Sequence, residues 1–268
     1  MRTVLIPPGL LACAAAAVVG MIPAAAAAAG PVPVRPAPAR LAAARAYALS
    51  RTGTVSFTVI SSDGSRHALA GERTYVTASV VKAMLMTAYL NMHAIAKQPL
   101  TVQDRSELHA MITVSDNDAA TWVYNRVGDA RLEALARRLG MAHFTVSYSW
   151  GDAQLTTNDQ ARLWSQLGRA VYPPYLGYAR SLLSSIVGWE SWGIPVVARP
   201  LGWHVLFKGG WRPTERGYVV HQMALLERAG QTLVVCILSD GNPSYEYGHQ
   251  TVEGITARLL GAGAGGKA

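Results

Sequence analysis

The chain has 268 residues, of which 50% are hydrophobic and 15% are charged, and its net charge is +8. The length and the hydrophobic content fit a single enzyme domain with a sizeable core. The basic residues are scattered along the chain rather than clustered. We therefore predict no nucleic-acid partner and interpret these residues as a solvated surface.

The chain begins with a run of apolar, mostly alanine residues that follows Arg2 and leads to small residues at 27–29. This pattern is typical of a secretory signal peptide, which we place at residues 1–29. A transmembrane anchor is the alternative, but three prolines interrupt the run, so we expect no stable membrane span after processing. A Pro-rich tether follows at residues 30–38. We expect a secreted protein that an anionic cell wall can retain.

The predicted enzyme domain covers residues 39–262 and is followed by a flexible tail at 263–268. Its first predicted element is an Ala-rich helix over residues 41–50. A strand over residues 55–60 then ends in the turn sequence Ser-Ser-Asp-Gly, and residues 66–71 return as its partner strand. This pattern predicts a β-hairpin near the start of the domain.

Helical patterns dominate the middle of the chain, and strand patterns dominate its last third. Residues 79–91 have helical periodicity, and residues 101–187 are mostly helical apart from an irregular loop at 144–155. Three strand-like runs follow, at residues 203–208, 217–226 and 232–238. We interpret Cys236, in the last of them, as a small core residue. With a terminal helix over 252–260, the order of elements predicts an α/β (α+β) fold, in which an antiparallel sheet is flanked by N- and C-terminal helices and a helical subdomain is inserted.

Three short motifs stand in order along the chain. They are Ser79-Val80-Val81-Lys82, Ser115-Asp116-Asn117 and Lys208-Gly209-Gly210. A single motif of this kind is weak, since each alone is explained by an ordinary helix cap, turn or surface lysine, but the ordered combination is specific. It supplies a serine nucleophile, two candidate proton carriers and an anion-binding cation. That set predicts acyl transfer through a covalent acyl-enzyme.

The first motif pairs the nucleophile with a base. Lys82 lies nearly one helical turn after Ser79, on the same face of the predicted helix. A serine hydroxyl has too high a pKa to attack unaided, and a neutral lysine can accept its proton. Burial and nearby positive charge lower the pKa of a lysine toward that neutral state. Lys208 ends an apolar run, which is unfavourable for a charge unless it faces a cleft.

The motifs and their flanks resemble the superfamily of serine β-lactamases and penicillin-binding proteins, in particular class A β-lactamase-like hydrolases of high-GC bacteria. That superfamily carries S-x-x-K, S-D-N and K-T-G motifs. Residues 74–79 and the surroundings of Ser115 also match its pattern. The resemblance implies a β-lactamase/transpeptidase-like fold over nearly the whole mature chain. We expect a monomer that acts on a small-molecule or peptide substrate. The histidines show no metal-ligand spacing, and we predict neither a metal nor a cofactor.

The resemblance also implies roles for the site residues. The catalytic residues would be Ser79, Lys82 and Ser115. The substrate-binding residues would be Asn117, Lys208, Gly209, Gly210 and Trp211. In this pattern Ser115 relays a proton to the leaving nitrogen, Asn117 binds the acyl-amide group, and Lys208 attracts a substrate carboxylate. The backbone N–H groups of Ser79 and Trp211 would form the oxyanion hole.

The sequence departs from the superfamily at two places. Gly209 stands where the family carries Thr or Ser, whose hydroxyl binds the substrate carboxylate, and Arg212 or Arg216 are candidates to replace that anchor. The segment 144–155 lacks the glutamate that activates the deacylating water in class A β-lactamases. Asp152 is its one carboxylate, and it is either a substitute general base or part of a turn.

These observations predict an exported serine hydrolase that forms an acyl-enzyme on Ser79 and hydrolyses a β-lactam ring or a related amide or ester, with impaired deacylation. Two alternatives stay open. One is a D,D-peptidase or esterase acting on cell-wall peptides or small esters. The other is a sensor that binds β-lactams or peptides without turnover.

Overall fold

A computed structural model of the chain describes Thr3 and residues 35–262. The chain divides into two units, Met1–Val32 and Pro33–Ala268, and every helix and strand described below belongs to the second. Three predicted segments lie wholly or largely outside the described residues: the signal peptide at 1–29, the tether at 30–38 and the tail at 263–268.

The described elements begin with a helix and a hairpin, continue through a mostly helical middle and end with three long strands and a helix. In chain order they are α1 (Pro38–Ser50), β1 (Thr54–Ser61), β2 (Arg66–Leu69), β3 (Tyr75–Val76), a 3₁₀ helix (Ala78–Val81), α2 (Lys82–Ile95), α3 (Val102–Thr113), α4 (Asn117–Arg138), β4 (Thr145–Ser147), β5 (Ser149–Leu155), α5 (Thr157–Ser165), α6 (Leu167–Ala170), α7 (Leu176–Ser184), a 3₁₀ helix (Gly188–Glu190), α8 (Ile194–Ala198), a 3₁₀ helix (Arg199–Leu201), β6 (His204–Thr214), β7 (Gly217–Arg228), β8 (Gln231–Asn242) and α9 (Tyr245–Leu260).

Five strands form the main antiparallel sheet, in the order β2-β1-β8-β7-β6. Its central strands are apolar on both faces because each face is covered. Val235 and Ile237 of β8 pack toward the terminal helices α1 and α9, whereas Val234, Cys236 and Leu238 pack toward the helical subdomain. This alternation follows from the two-residue period of a strand. The predicted fold class is confirmed.

Helix α2 runs through the centre of the helical subdomain. Its residues from Lys82 to Asn91 are buried on every side, as expected for a helix without a polar face. The burial places the start of α2, and with it Lys82, in the interior next to the sheet. No helix in the described part of the chain is long and apolar enough to cross a membrane.

Strand β6 and helix α9 are longer than predicted. Strand β6 continues past Lys208 to Thr214, so this lysine lies within the strand rather than at its end. Two glycines and Pro213 weaken the strand signal, but β6 is an edge strand, where proline is tolerated. Helix α9 begins at Tyr245, where Ser244 caps it by accepting a hydrogen bond from the Tyr247 amide.

The prediction of an irregular loop at residues 144–155 is wrong. Strands β4 and β5 occupy this segment and form a second antiparallel sheet with β3, in the order β3-β5-β4. Gly151 and Asp152 have low strand propensity, and the pairing partner β3 lies far away in the sequence. The consequence is functional, because β3 leads directly into the turn that carries Ser79.

Candidate active site

Ser79 lies in the 3₁₀ helix Ala78–Val81, immediately before α2. Thr77, which precedes this 3₁₀ helix, is tied to β5, because its amide donates to the Ala153 carbonyl at 2.8 Å and its hydroxyl donates to the Trp150 carbonyl at 3.0 Å. Ser79 is half-buried, and its hydroxyl makes no hydrogen bond to any described residue. The nucleophile candidate is therefore held by its backbone while its side chain stays free to react.

Strand β6 approaches this turn at Gly210. A Cβ atom on Gly210 would lie 2.7 Å from the backbone nitrogens of both Ser79 and Val80. Real Cβ atoms do not approach backbone so closely, so only glycine fits here. The first and third motifs thus meet through backbone at this point.

Replacing Gly210 by Ala is expected to push β6 away from the turn, because its clash is with backbone atoms. We expect a loss of about 1–3 kcal/mol in the free energy of unfolding, as for other overpacked sites. We also expect loss of any acylation at Ser79. Chemical unfolding and adduct formation would measure both effects. Gly177→Ala is the matched control, since a Cβ there meets open space within α7. Equal stability of the two variants would contradict the close approach.

Lys82 is completely buried, and its ammonium group donates hydrogen bonds to the second motif. Its Nζ donates to the Ser115 carbonyl at 2.5 Å, to Asn117 Oδ1 at 2.8 Å and to Ser115 Oγ at 3.4 Å. Burial, reinforced by the charge of Lys208, lowers the pKa of Lys82 to about 7. A substantial fraction of this lysine is therefore neutral, and able to accept a proton, near neutral pH.

Ser115 joins the two buried lysines. Its Oγ accepts a hydrogen bond from Lys208 Nζ at 2.9 Å, and the same Nζ donates to the Gly209 carbonyl at 2.9 Å. Ser115 has a positive φ of 61°, a strained conformation that turns its carbonyl and side chain into the site. Asp116 caps α4 by accepting a hydrogen bond from the Ala119 amide at 2.7 Å. Burial lowers the pKa of Lys208 to about 8.

The structure thus brings the three motifs to one place, but it does not place every predicted pair in contact. Lys82 Nζ reaches the second motif, and among the described residues it makes no hydrogen bond with Ser79 Oγ, although the Lys82 backbone N–H donates to the Ser79 carbonyl. Trp211, a predicted oxyanion donor through its backbone, is 41% exposed, and its ring lies 4.4 Å from that of Tyr245.

An aromatic ring covers Lys82 on the side of β5. The Lys82 Nζ lies 5.0 Å from the centroid of the Trp150 ring, and the Trp150 indole donates to Thr121 Oγ1 at 3.2 Å. A cation over an indole face is a favourable pair. An indole, however, cannot accept a proton from water, so Trp150 supplies no general base beside Lys82.

Asp152 is engaged with neighbouring side chains. Its Oδ1 accepts a hydrogen bond from Arg212 at 2.7 Å and its Oδ2 accepts one from Ser149 at 2.7 Å. These two hydrogen bonds lower the pKa of Asp152, which makes it a weaker base. The candidate carboxylate anchors are also paired, because Arg212 binds Asp152 and Arg216 forms an ion pair with Asp240.

Trp192 explains why position 209 of the third motif is a glycine. A Cβ atom on Gly209 would lie 2.8 Å from Cζ2 of Trp192. The indole, which stacks on His249 with ring centroids 3.9 Å apart, therefore fills the space that a Thr or Ser side chain would need. The sequence offered no sign of this contact, because Trp192 lies outside all three motifs.

Glu190 is the second residue that the sequence did not identify. It ends the 3₁₀ helix Gly188–Glu190 and is half-buried. Its negative charge raises the pKa of Lys82 and of Lys208, opposing the effect of burial on both. A carboxylate thus acts on the two lysines from the segment before β6, whereas the segment 144–155 lacks the glutamate of class A β-lactamases.

Comparisons with known proteins agree with this geometry. A family model described as the beta-lactamase enzyme family matches residues 91–262, well over half of the chain. The match includes the second and third motifs, and Ser79 and Lys82 precede it. A search of curated proteins found no match.

Solved structures of the same fold include a beta-lactamase from Sphaerobacter thermophilus, which is 22% identical with a TM-score of 0.73 over 83% of this chain and 96% of that chain. PBP-A is 16% identical, with a TM-score of 0.72 over 85% of this chain and 97% of its own. A beta-lactamase from Chitinophaga pinensis is 14% identical, with a TM-score of 0.71 over 83% of this chain and 98% of that chain. The predicted superfamily is confirmed, and the chain belongs to the beta-lactamase enzyme family.

Proposed function

We propose that this protein is an exported serine hydrolase that forms an acyl-enzyme on Ser79. The observation that carries the proposal is the hydrogen-bonded cluster in which Ser115 links two fully buried lysines. Burying two cations side by side is costly, and such clusters of perturbed pKa values are typical of catalytic sites. The close approach of Gly210 to the Ser79 amide also brings β6, which carries Trp211, next to the turn that carries Ser79.

In the proposed reaction, Ser79 Oγ attacks the carbonyl carbon of the substrate and its proton passes to neutral Lys82. The backbone N–H groups of Ser79 and Trp211 stabilise the oxyanion. Ser115 gives its proton to the leaving nitrogen or oxygen and takes another from Lys82 or Lys208, both of which donate to its Oγ. Water then hydrolyses the ester on Ser79.

The substrate class we favour is a β-lactam or a related amide or ester. A D,D-peptidase or esterase would use the same residues. Trp150 beside Lys82 favours a further candidate, a sensor that is acylated without rapid turnover, because none of the hydrogen-bond partners of Lys82 Nζ among the described residues is a carboxylate. Intact-mass spectrometry with a panel of penicillins, cephalosporins, acyl-D-Ala-D-Ala peptides and simple esters would separate these functions. A protein that none of them acylates would refute the proposal.

We also propose that the protein acts as a secreted monomer. The apolar segment at residues 1–29 supports export. N-terminal sequencing of protein from culture medium is expected to begin near Gly30, and a retained Met1 would contradict this.

Acylation should depend on pH as a bell-shaped curve. Lys82 acts as a base only when neutral, so the rate rises as the pH passes its pKa of about 7. Lys208 acts as a cation only when protonated, so the rate falls above its pKa of about 8. Adduct formation followed by intact mass across this range would measure the profile. In Lys208→Arg the guanidinium keeps its charge, and the alkaline fall should disappear while the acidic rise remains. A flat profile would contradict these roles.

A further inference from the structure

A cavity of about 470 Å³ lies in the helical subdomain, away from the three motifs. Its apolar walls come from the second halves of two helices, with Ala88, Met92 and Ile95 on α2 and Ala134 and Leu135 on α4. Residues three or four apart share one face of a helix, so each helix turns one continuous side toward the cavity. The volume and the apolar walls are typical of sites that bind small molecules.

The third wall, at residues 170–172, is held by hydrogen bonds from both helices. Asn91 of α2 donates from Nδ2 to the Ala170 carbonyl at 2.7 Å and accepts at Oδ1 from the Tyr172 amide at 2.8 Å. Arg138 of α4 donates to the same Ala170 carbonyl at 2.7 Å, and its guanidinium carbon lies 4.9 Å from the centroid of the Tyr172 ring. The walls are therefore already in place, and a ligand does not have to order them.

Two guanidinium groups line the cavity, and no carboxylate balances them. Arg131 and Arg138 belong to the lining, and none of the lining residues is acidic. Arg138 holds the third wall, whereas the one hydrogen bond of Arg131 to a described residue goes to the Val127 carbonyl of its own helix, at 3.1 Å. Neither arginine forms an ion pair within the described ranges. Arg131 therefore keeps free N–H donors for an anionic ligand.

We propose that this cavity binds a fatty acid of about ten carbons, whose carboxylate pairs with Arg131 while its alkyl chain lies against the apolar side of α2. From Ala88 to Ile95 the helix rises about 11 Å, which suits an extended chain of that length. The apolar walls bury the methylene groups, and a guanidinium matches the geometry of a carboxylate. The ligand does not react, so the site goes beyond the proposed function and does not depend on acylation at Ser79.

The test is titration calorimetry of the purified protein with octanoate, decanoate and decanamide, each below its micelle concentration. Decanamide has the same chain as decanoate but carries no charge. We expect decanoate to bind about tenfold more tightly than decanamide, because it gains a charge-assisted hydrogen bond. We also expect it to bind about tenfold more tightly than octanoate, because two further methylene groups are buried.

The variant Arg131→Gln tests the anchor. It should weaken decanoate binding about tenfold and leave decanamide binding unchanged. Arg137→Gln is the matched control, since Arg137 lies on the same helix, does not line the cavity and pairs with Glu133 at 3.7 Å. This control should bind both compounds as the wild-type protein does.

The variant Ala134→Trp tests the location, since an indole at this position should fill part of the cavity and weaken decanoate binding by about tenfold or more. Ala130→Trp is its control, because Ala130 is exposed on the same helix but does not line the cavity. Thermal unfolding of each variant checks that it is folded. No acylating substrate is present, so the outcome is independent of the proposed function.

Equal affinity for decanoate and decanamide would overturn the pairing with Arg131, and unchanged binding by folded Ala134→Trp would place the ligand elsewhere. Absence of binding by all three compounds would overturn the site itself. A protein that is dimeric in sedimentation velocity, and monomeric in Ala134→Trp, would show that a second copy of the chain covers the cavity instead of a fatty acid.

Discussion

Replacing Ser79 by Ala is expected to abolish adduct formation with a fluorescent penicillin or an activated ester, because Ser79 carries the one hydroxyl of the 3₁₀ helix Ala78–Val81 that Gly210 approaches. Replacing Lys82 by Ala is expected to slow acylation by about 10²- to 10⁴-fold, the usual effect of losing a general base. Both effects depend on proton transfer from Ser79 to a neutral lysine whose pKa burial has lowered to about 7.

The measurement is the rate of labelling, followed by gel fluorescence and confirmed by intact mass. Lys97→Asn is the matched control, since Lys97 is exposed just after α2 and asparagine tolerates its positive φ of 53°. It should label at the wild-type rate. Undiminished labelling of Ser79→Ala would refute the nucleophile, and undiminished labelling of Lys82→Ala would show that another group removes the proton.

The motifs predicted the chemistry of the site better than its contacts. Spacing indicated that Lys82 would lie near Ser79, and the resemblance carried by the motifs implied that Ser115 and Lys208 would join them. They did not indicate that the Lys82 ammonium group would bind the second motif rather than the Ser79 hydroxyl. That contact depends on the strained backbone of Ser115, which only the folded chain imposes.

The same limit applies to the fold. Hydrophobic periodicity predicted the hairpin, the central helix and the last strands, since these patterns are local. The sheet formed by β3, β4 and β5 was missed, because its stability comes from pairing across a long stretch of sequence. Trp192 and Glu190 were missed for a related reason. Neither lies in a motif, and each matters only through a group that folding brings close.

The groups that surround Lys82 Nζ lead to a prediction for the rate of deacylation. Among the described residues, the hydrogen-bond acceptors of Lys82 Nζ are the carbonyl and hydroxyl of Ser115 and the amide of Asn117, with the Trp150 ring on another side. None of these groups is a carboxylate that can activate a water. Loss of such a base costs about 10²- to 10⁴-fold in rate, or roughly 3–5 kcal/mol of barrier. The rate of acylation should therefore exceed the rate of deacylation.

With a reactive β-lactam such as nitrocefin, we expect a burst close to one equivalent, then a slow steady state, with a persistent adduct in the mass spectrum. Asp152→Asn should leave the slow phase unchanged, because both Asp152 oxygens are engaged and its pKa is lowered. A slow phase that falls by about tenfold or more in Asp152→Asn would identify this residue as the base after all. The same loss in Glu190→Gln would assign deacylation to Glu190.

The converse variant tests the physical reason for slow deacylation. In Trp150→Glu a carboxylate would stand where the indole now covers Lys82, and we expect the steady-state rate to rise while the burst amplitude falls. Trp189→Glu is the control, since Trp189 is 73% exposed, and it should leave both unchanged. Rapid nitrocefin turnover by the wild-type protein, without a detectable adduct, would contradict the prediction. It would mean that Lys82 or a neighbouring carboxylate activates the deacylating water well enough to make this protein a working β-lactamase.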